Sequence, residues 1–228
     1  MIRDVSERCL VLGGGGVAGI AWMTGLLLGL KERGVDIDSF GTVLGTSAGA
    51  AVGAQVYGGC ALDQLYQRQV DPEQQVEELV PTVSLTQVLL KLLPALLVRK
   101  QPGKFRRKVG KMAIRAKTVP AQKRYRVIEQ RLDGCQWPEE GLNVVVVNAE
   151  TGAPEVLDRT SGLSLPDAIA ASCAVPGIWP VVNLRGAPYI DGGIRSANSA
   201  DYACGAQEVL VLAPMGYKPN FTPDAGLR

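Results

Sequence analysis

The sequence predicts a three-layer α/β/α fold with a mainly parallel central sheet and a helical insertion. Three observations predict it. Two strand–glycine turn–helix units occupy the first 57 residues, a nearly continuous β-branched run lies at residues 142–147, and a stretch of helical character at about 61–132 separates them. Strands that alternate with helices stack as a parallel sheet covered on its faces. An apolar run without alternation marks a strand buried on both sides. The 228 residues fit one α/β domain, and 46% hydrophobic with 20% charged residues is a globular composition.

The first unit opens with the apolar run Cys9-Leu10-Val11-Leu12 and a glycine loop, Gly13 to Gly16. Ile20, Met23, Leu26, Leu27 and Leu30 then recur at helical spacing, and Gly34 supplies a stop. The second unit has Thr42-Val43-Leu44 as its strand, a tight turn at 45–49 and a small-residue helix to about Tyr57. The insertion carries helix-breaking prolines at 72, 81, 94, 102 and 120. After the strand at 142–147 come a small-residue helix at 165–174 ended by Pro176, an apolar approach Pro188-Tyr189-Ile190, and a last buried strand at 208–212. The tail after Pro214 carries no element signal.

Composition also excludes. The chain has no histidine, so a Ser-His-Asp triad and a His-ligated metal are both ruled out. Its five cysteines are odd in number, dispersed and never spaced C-x-x-C, which suggests reduced thiols filling a core in a cytoplasmic protein. The first apolar run is too short for a signal-peptide core, and no stretch approaches the ~18 apolar residues of a membrane span, so a soluble or membrane-peripheral protein is expected. The net charge of +2 hides an asymmetry. Residues 79–128 hold thirteen Lys or Arg and no Asp or Glu, which leaves the rest of the chain at −11. Such separation suggests that the middle segment meets an anionic partner.

Three short motifs could carry chemistry. Gly45-Thr46-Ser47-Ala48-Gly49 fits G-x-S-x-G between a strand and a helix. There a serine occupies strained backbone at a helix N-terminus, and the flanking glycines remove Cβ atoms that would clash. The plain alternative is a βα turn with Ser47 as an N-cap. Gly14-Gly15-Gly16-Val17-Ala18-Gly19 fits G-x-G-x-x-G, read either as an oxyanion loop or as a dinucleotide pocket for a flavin or nicotinamide. The dinucleotide reading expects an acidic residue at the end of a second strand, whereas Glu32 sits at a helix end. Asp191-Gly192-Gly193 is a common turn signal taken alone.

Together these motifs resemble the patatin-like phospholipase family, in which a glycine-rich oxyanion loop, a G-x-S-x-G elbow and a late D-G-G/A occur in this order. Ala171-Ser172-Cys173-Ala174-Val175-Pro176 with Trp179-Pro180 is similar to the family's stretch before its aspartate. The resemblance covers roughly residues 9–57 and 142–214. It implies a lipid acyl hydrolase with Ser47 as nucleophile and Asp191 as base. Gly14, Gly15, Gly16, Val17 and Gly19 would form the oxyanion loop, and Gly45, Thr46, Ala48 and Gly49 the elbow. Gly192 and Gly193 complete the aspartate motif. It implies no histidine, no metal and no organic cofactor. Two departures stand out. Ala18 replaces a basic residue common in the family, which opens the alternative of a catalytically weak or silent lipid-binding relative. Family chains also usually continue past a strand such as 208–212, so a truncated C-terminus is expected.

The substrate class implied is an acyl lipid or phospholipid. Leu85, Val88, Leu89, Leu92, Leu93, Leu96 and Leu97 form an apolar stretch, and residues 99–126 a basic tract. This combination suits peripheral contact with an anionic membrane, or else a helical cap with a solvated basic side. The tract has only Phe105 and Tyr125 as aromatics, so nucleic acid is not expected.

Overall fold

The computed structural model describes residues 5–75, 78–81, 83 and 85–216; the tail at 217–228 lies outside the described residues. The two opening units are β1 (Arg8–Leu12) with α1 (Gly16–Glu32), and β2 (Thr42–Thr46) with α2 (Ala48–Tyr57). The stretch read as helical folds into α3 (Leu62–Val70), α4 (Leu85–Leu96), α5 (Pro102–Ile114) and α6 (Ala121–Arg131). Then follow β3 (Leu142–Asn148), β4 (Pro154–Leu157), α7 (Leu165–Ser172), β5 (Val182–Leu184), β6 (Ala187–Asp191) and β7 (Glu208–Leu212).

The break expected at Pro94 does not occur, because α4 runs through it to Leu96. Proline removes a single hydrogen bond here, to a carbonyl one turn back, and only two helical residues remain beyond it. The edge strands β4 and β5, of four and three residues, carry no apolar run that the sequence could reveal.

The seven strands form one sheet with the hydrogen-bonded path β5-β6-β3-β2-β1-β7, and β4 pairs with β3. β7, β1, β2 and β3 are mutually parallel. β4, β6 and β5 add antiparallel pairs at one end. Alternate residues of the strands point to opposite faces. On one face Leu10, Leu12, Val43, Val144 and Val146 pack under α1, α2, α3, α6 and α7 in the largest core cluster. On the other, Cys9, Val11, Leu44 and Val145 lie under the 3-10 turn Ala200–Ala203. Also on that face, Val147 and Ile190 lie under Ala95 of α4 and Phe105, Val109 and Ala113 of α5. Both faces of the sheet are therefore covered, and the insertion contributes to both layers.

Candidate active site

A strand has two edges, and the register on β3 decides where the site forms. β4 takes one edge along Val144, Val145, Val146 and Val147. β2 and β6 must therefore share the other. β2 runs parallel to β3 and ends with Thr46 opposite Val145. β6 arrives antiparallel and ends with Asp191 opposite Val146. The two strands thus meet end to end on one edge of β3, and this brings Ser47 to Asp191.

Ser47 has φ 54 and ψ −116, in a region that non-glycine residues adopt only when their surroundings hold them there. Two supports do so. Its N–H donates to Ser172 Oγ at 2.9 Å, and the Ser172 hydroxyl donates to the Val145 carbonyl at 2.8 Å. Its carbonyl accepts the first bond of α2, from Ala51 N–H at 3.2 Å. A Cβ on Gly45 would lie 2.4 Å from Ala50 Cα, and one on Gly49 would lie 1.9 Å from the Leu12 carbonyl oxygen. Both flanking glycines of the pentapeptide are thus dictated by close backbone approach. Ser47 occupies the N-cap position of α2, yet its side chain makes no capping hydrogen bond, so the plain N-cap reading fails. The hydroxyl instead lies close enough to the Asp191 carboxyl to favour its ionised form.

Asp191 is 5% exposed. Its N–H donates to the Ala174 carbonyl at 3.0 Å, and its Oδ1 accepts from Gly193 N–H at 2.7 Å. Burial pushes the carboxyl up to about 6, against the nearby Ser47 hydroxyl and the Gly193 N–H, which favour the carboxylate. Gly192 presses against β3, where a Cβ would lie 2.4 Å from the Val145 carbonyl oxygen.

The first glycine loop lies against Ser47, since a Cβ on Gly14 would be 3.6 Å from Ser47 Cβ. Gly13 N–H donates to the Leu212 carbonyl at 2.9 Å, which ties the loop to the end of β7. Two N–H groups of the loop are taken by backbone carbonyls. Gly14 N–H is committed to the Ala197 carbonyl at 2.7 Å, and Gly19 N–H to the Gly15 carbonyl at 2.9 Å. Gly15, Gly16 and Val17, at and before the first turn of α1, have no partner inside the helix. Gly16 adopts φ +61, which suits glycine.

The model of the family described as patatin-like phospholipase matches residues 10–204, a span that includes the loop, the elbow and the aspartate. The chain belongs to the patatin-like phospholipase family. Membership supports a lipid hydrolase. The fold is similar to the crystal structure of VipD from Legionella pneumophila, at 15% identity and a TM-score of 0.44, over 85% of this chain and 46% of that one. It is also similar to the type III effector protein ExoU, at 18% identity and a TM-score of 0.39, over 76% and 41% of the two chains. The chain therefore spans less than half the length of either. No curated protein matches it.

Two further residues at this patatin-like site were not legible as such in the sequence. Ser172, fully buried, clamps the elbow to β3. It stands in the segment that resembles the family's approach to the aspartate, but its role depends on β3 lying beneath it. Cys173 places its thiol against the Ser47 hydroxyl and near Asp191; burial pushes the thiol up to about 11, so it stays protonated. The reading of the cysteines as core filler holds for Cys9, Cys135 and Cys173, which are buried, whereas Cys204 is exposed. Beside Ala174, which anchors Asp191, lies a cavity of about 290 Å³ lined by Ala170, Trp179, Val181, Tyr125 and Arg124. The Arg124 guanidinium stacks over the Trp179 ring at 4.3 Å. Glu78 pairs with Arg124 at 3.5 Å and with Arg131.

Proposed function

We propose that the protein is a serine lipid acyl hydrolase of the phospholipase A or esterase type, acting through a Ser47–Asp191 dyad. The observation that carries this reading is the convergence of the strained, clamped Ser47 and a buried carboxyl whose pKa is about 6 on one edge of β3. An ordinary aspartate, at 3.8, is a poor base for a hydroxyl. Desolvation raises the basicity of Asp191 yet leaves it ionised at neutral pH.

The Ser47 oxygen attacks the ester carbonyl while its proton passes to Asp191. The N–H groups of Gly15, Gly16 and Val17 stabilise the oxyanion. Collapse releases the alcohol, which takes the proton from Asp191, and leaves an acyl-serine. Water then gives a proton to Asp191 and attacks the acyl group. The second collapse releases the carboxylic acid and returns the proton to Ser47. The scheme uses no metal and no organic cofactor. The cavity between Ala170 and Trp179 offers an apolar seat for part of an acyl chain. The substrate is accordingly an acyl lipid, presented at an anionic surface that the basic segment 99–126 is suited to meet.

Reaction with a fluorophosphonate probe tests the reading directly. Wild type should be labelled and Ser47→Ala should not. A well-folded wild type that takes no label would overturn the dyad and favour a silent lipid-binding relative.

A further inference from the structure

The insertion exposes an apolar face that the core does not use. Val88 and Ala95 of α4 are buried against the sheet side. At ~100° per residue, Leu89, Leu93, Leu97, Leu90 and Pro94 fall on the opposite arc, with Thr86 the one polar residue among them. Leu89 is 55%, Leu90 61%, Leu93 53% and Leu97 87% exposed. Large side chains exposed together on one stripe mark an interaction surface. No helix among the described residues is long and apolar enough to cross a membrane, so this face can at most lie on one.

The neighbouring helix supplies the charge. α5 buries Phe105, Val109, Gly110 and Ala113, and its outer arc carries Lys104, Arg107, Lys108 and Lys111, with Arg115 just beyond its end. Lys108 Nζ donates to the Pro94 carbonyl at 3.2 Å, so the cationic arc adjoins the leucine stripe. Between the two helices a groove of about 220 Å³ is lined by Lys91, Lys108, Lys111 and Arg115 together with Leu92 and Pro94. Among the described residues no ion pair joins any of these cations to a carboxylate. The buried sides of the two helices reach toward the active site, since Gly177, in the loop that follows Cys173 and Ala174, lies against Val88 of α4 and Met112 of α5.

We infer that α4 and α5 form a docking surface for an anionic phospholipid bilayer. The α4 leucines enter the headgroup–acyl boundary, and the groove cations receive lipid phosphates. Apolar insertion flanked by Lys and Arg is the physics of interfacial helices. The same face of a second copy would bring two cationic arcs together without counter-charge, which opposes self-association. The span 85–115 that builds this face holds nine Lys or Arg and no Asp or Glu, which attracts a negative surface. The inference deepens the lipid reading of the adjacent site but rests on different residues.

Flotation of the full chain with neutral phosphatidylcholine vesicles, and with vesicles containing about 30 mol% phosphatidylserine, tests it. Wild type should bind the anionic vesicles at least about tenfold more tightly, an advantage that shrinks with salt. A triple variant Lys91→Glu, Lys111→Glu, Arg115→Glu should lose about a hundredfold, at about fivefold per cation. Leu90→Ser with Leu93→Ser and Leu97→Ser should weaken anionic binding at least about tenfold while leaving hydrolysis of a water-soluble short-chain ester unchanged. Equal affinity for both vesicles, tighter binding to RNA than to anionic vesicles, or a dimer that the leucine variant abolishes would each overturn the inference. Ester hydrolysis without vesicle binding would remove the docking surface and leave the dyad. Vesicle binding without fluorophosphonate labelling or ester hydrolysis would do the reverse.

Discussion

Replacing Asp191 by Asn should stabilise the protein at alkaline pH while abolishing turnover. The native state holds this carboxyl at about 6, against 3.8 for an ordinary aspartate. A carboxyl whose pKa is raised on folding binds its proton more tightly in the native state. The stability it contributes is full below 3.8 and is lost as pH rises through about 6. At about 1.4 kcal/mol per pH unit the gap corresponds to about 3 kcal/mol, of which about 2 kcal/mol develop between about pH 4.5 and pH 8. An amide does not ionise and escapes this loss. The difference in stability between Asp191→Asn and wild type should therefore move by about 2 kcal/mol in favour of the variant between those pH values, or by about 4–8 °C in Tm for a chain of this size. Parallel urea titrations at the two pH values read it, because every other titrating group cancels in the difference. A variant-minus-wild-type difference that is the same at both pH values would refute a desolvated carboxyl at this position.

The pH profile of kcat/KM should rise with a midpoint near 6, as Asp191 must be ionised to accept the Ser47 proton; a flat profile between about pH 4.5 and pH 8 would sink its role as base. Ser172→Ala leaves the Ser47 N–H and the Val145 carbonyl without that partner in a buried setting, and should cost about 2 kcal/mol in urea denaturation. The same variant should lower kcat at least about tenfold with a smaller change in KM, since the elbow loses its clamp; an unchanged kcat would reduce Ser172 to a packing residue. Gly49→Ala drives a Cβ to 1.9 Å from the Leu12 carbonyl oxygen, where both groups are backbone and neither can turn away. It should abolish the cooperative thermal transition, and a Tm within a few degrees of wild type would contradict the elbow geometry.

What the sequence revealed was what is local. Gly45 is required by Ala50, which the strand-to-helix turn itself brings close, so the pentapeptide announced both the turn and the strain at Ser47, although Gly49 answers to Leu12 at the end of β1. The absence of histidine was equally legible, because exclusion needs no geometry. What stayed hidden depends on partners far along the chain. Ser172 acts on Ser47 from 125 positions away, and only the packing of α7 over β3 brings it there. The N–H of Gly14 is taken by Ala197, a residue with no signal of its own, so the number of free donors in the glycine loop could not be counted from the motif. β4 and β5 escaped because short edge strands bury too little to show an apolar pattern.

The two members of the dyad rest on different supports. Ser47 is held by α2, which begins beside it, and by Ser172 at the end of α7, both on the face of the sheet with the largest core. Asp191 is held by β6, by the Ala174 carbonyl and by its own turn through Gly193. Its neighbour Ile190 packs with Phe105, Val109 and Ala113 of α5 on the other face. The insertion therefore does more than join two halves of the sheet. Through Ile190 it braces β6 from the face opposite the Asp191 side chain, which is itself buried beside Ser47 and Cys173. That agrees with burial being the largest cause of the shift at Asp191, with only the Ser47 hydroxyl and the Gly193 N–H opposing it. A histidine-free mechanism depends on this dryness, because a hydrated aspartate would lose the basicity that the serine requires. The helix that packs over Ile190 also carries the outward cationic arc. The same element thus braces β6 on its inner side and presents on its outer side the cations proposed to meet an anionic surface.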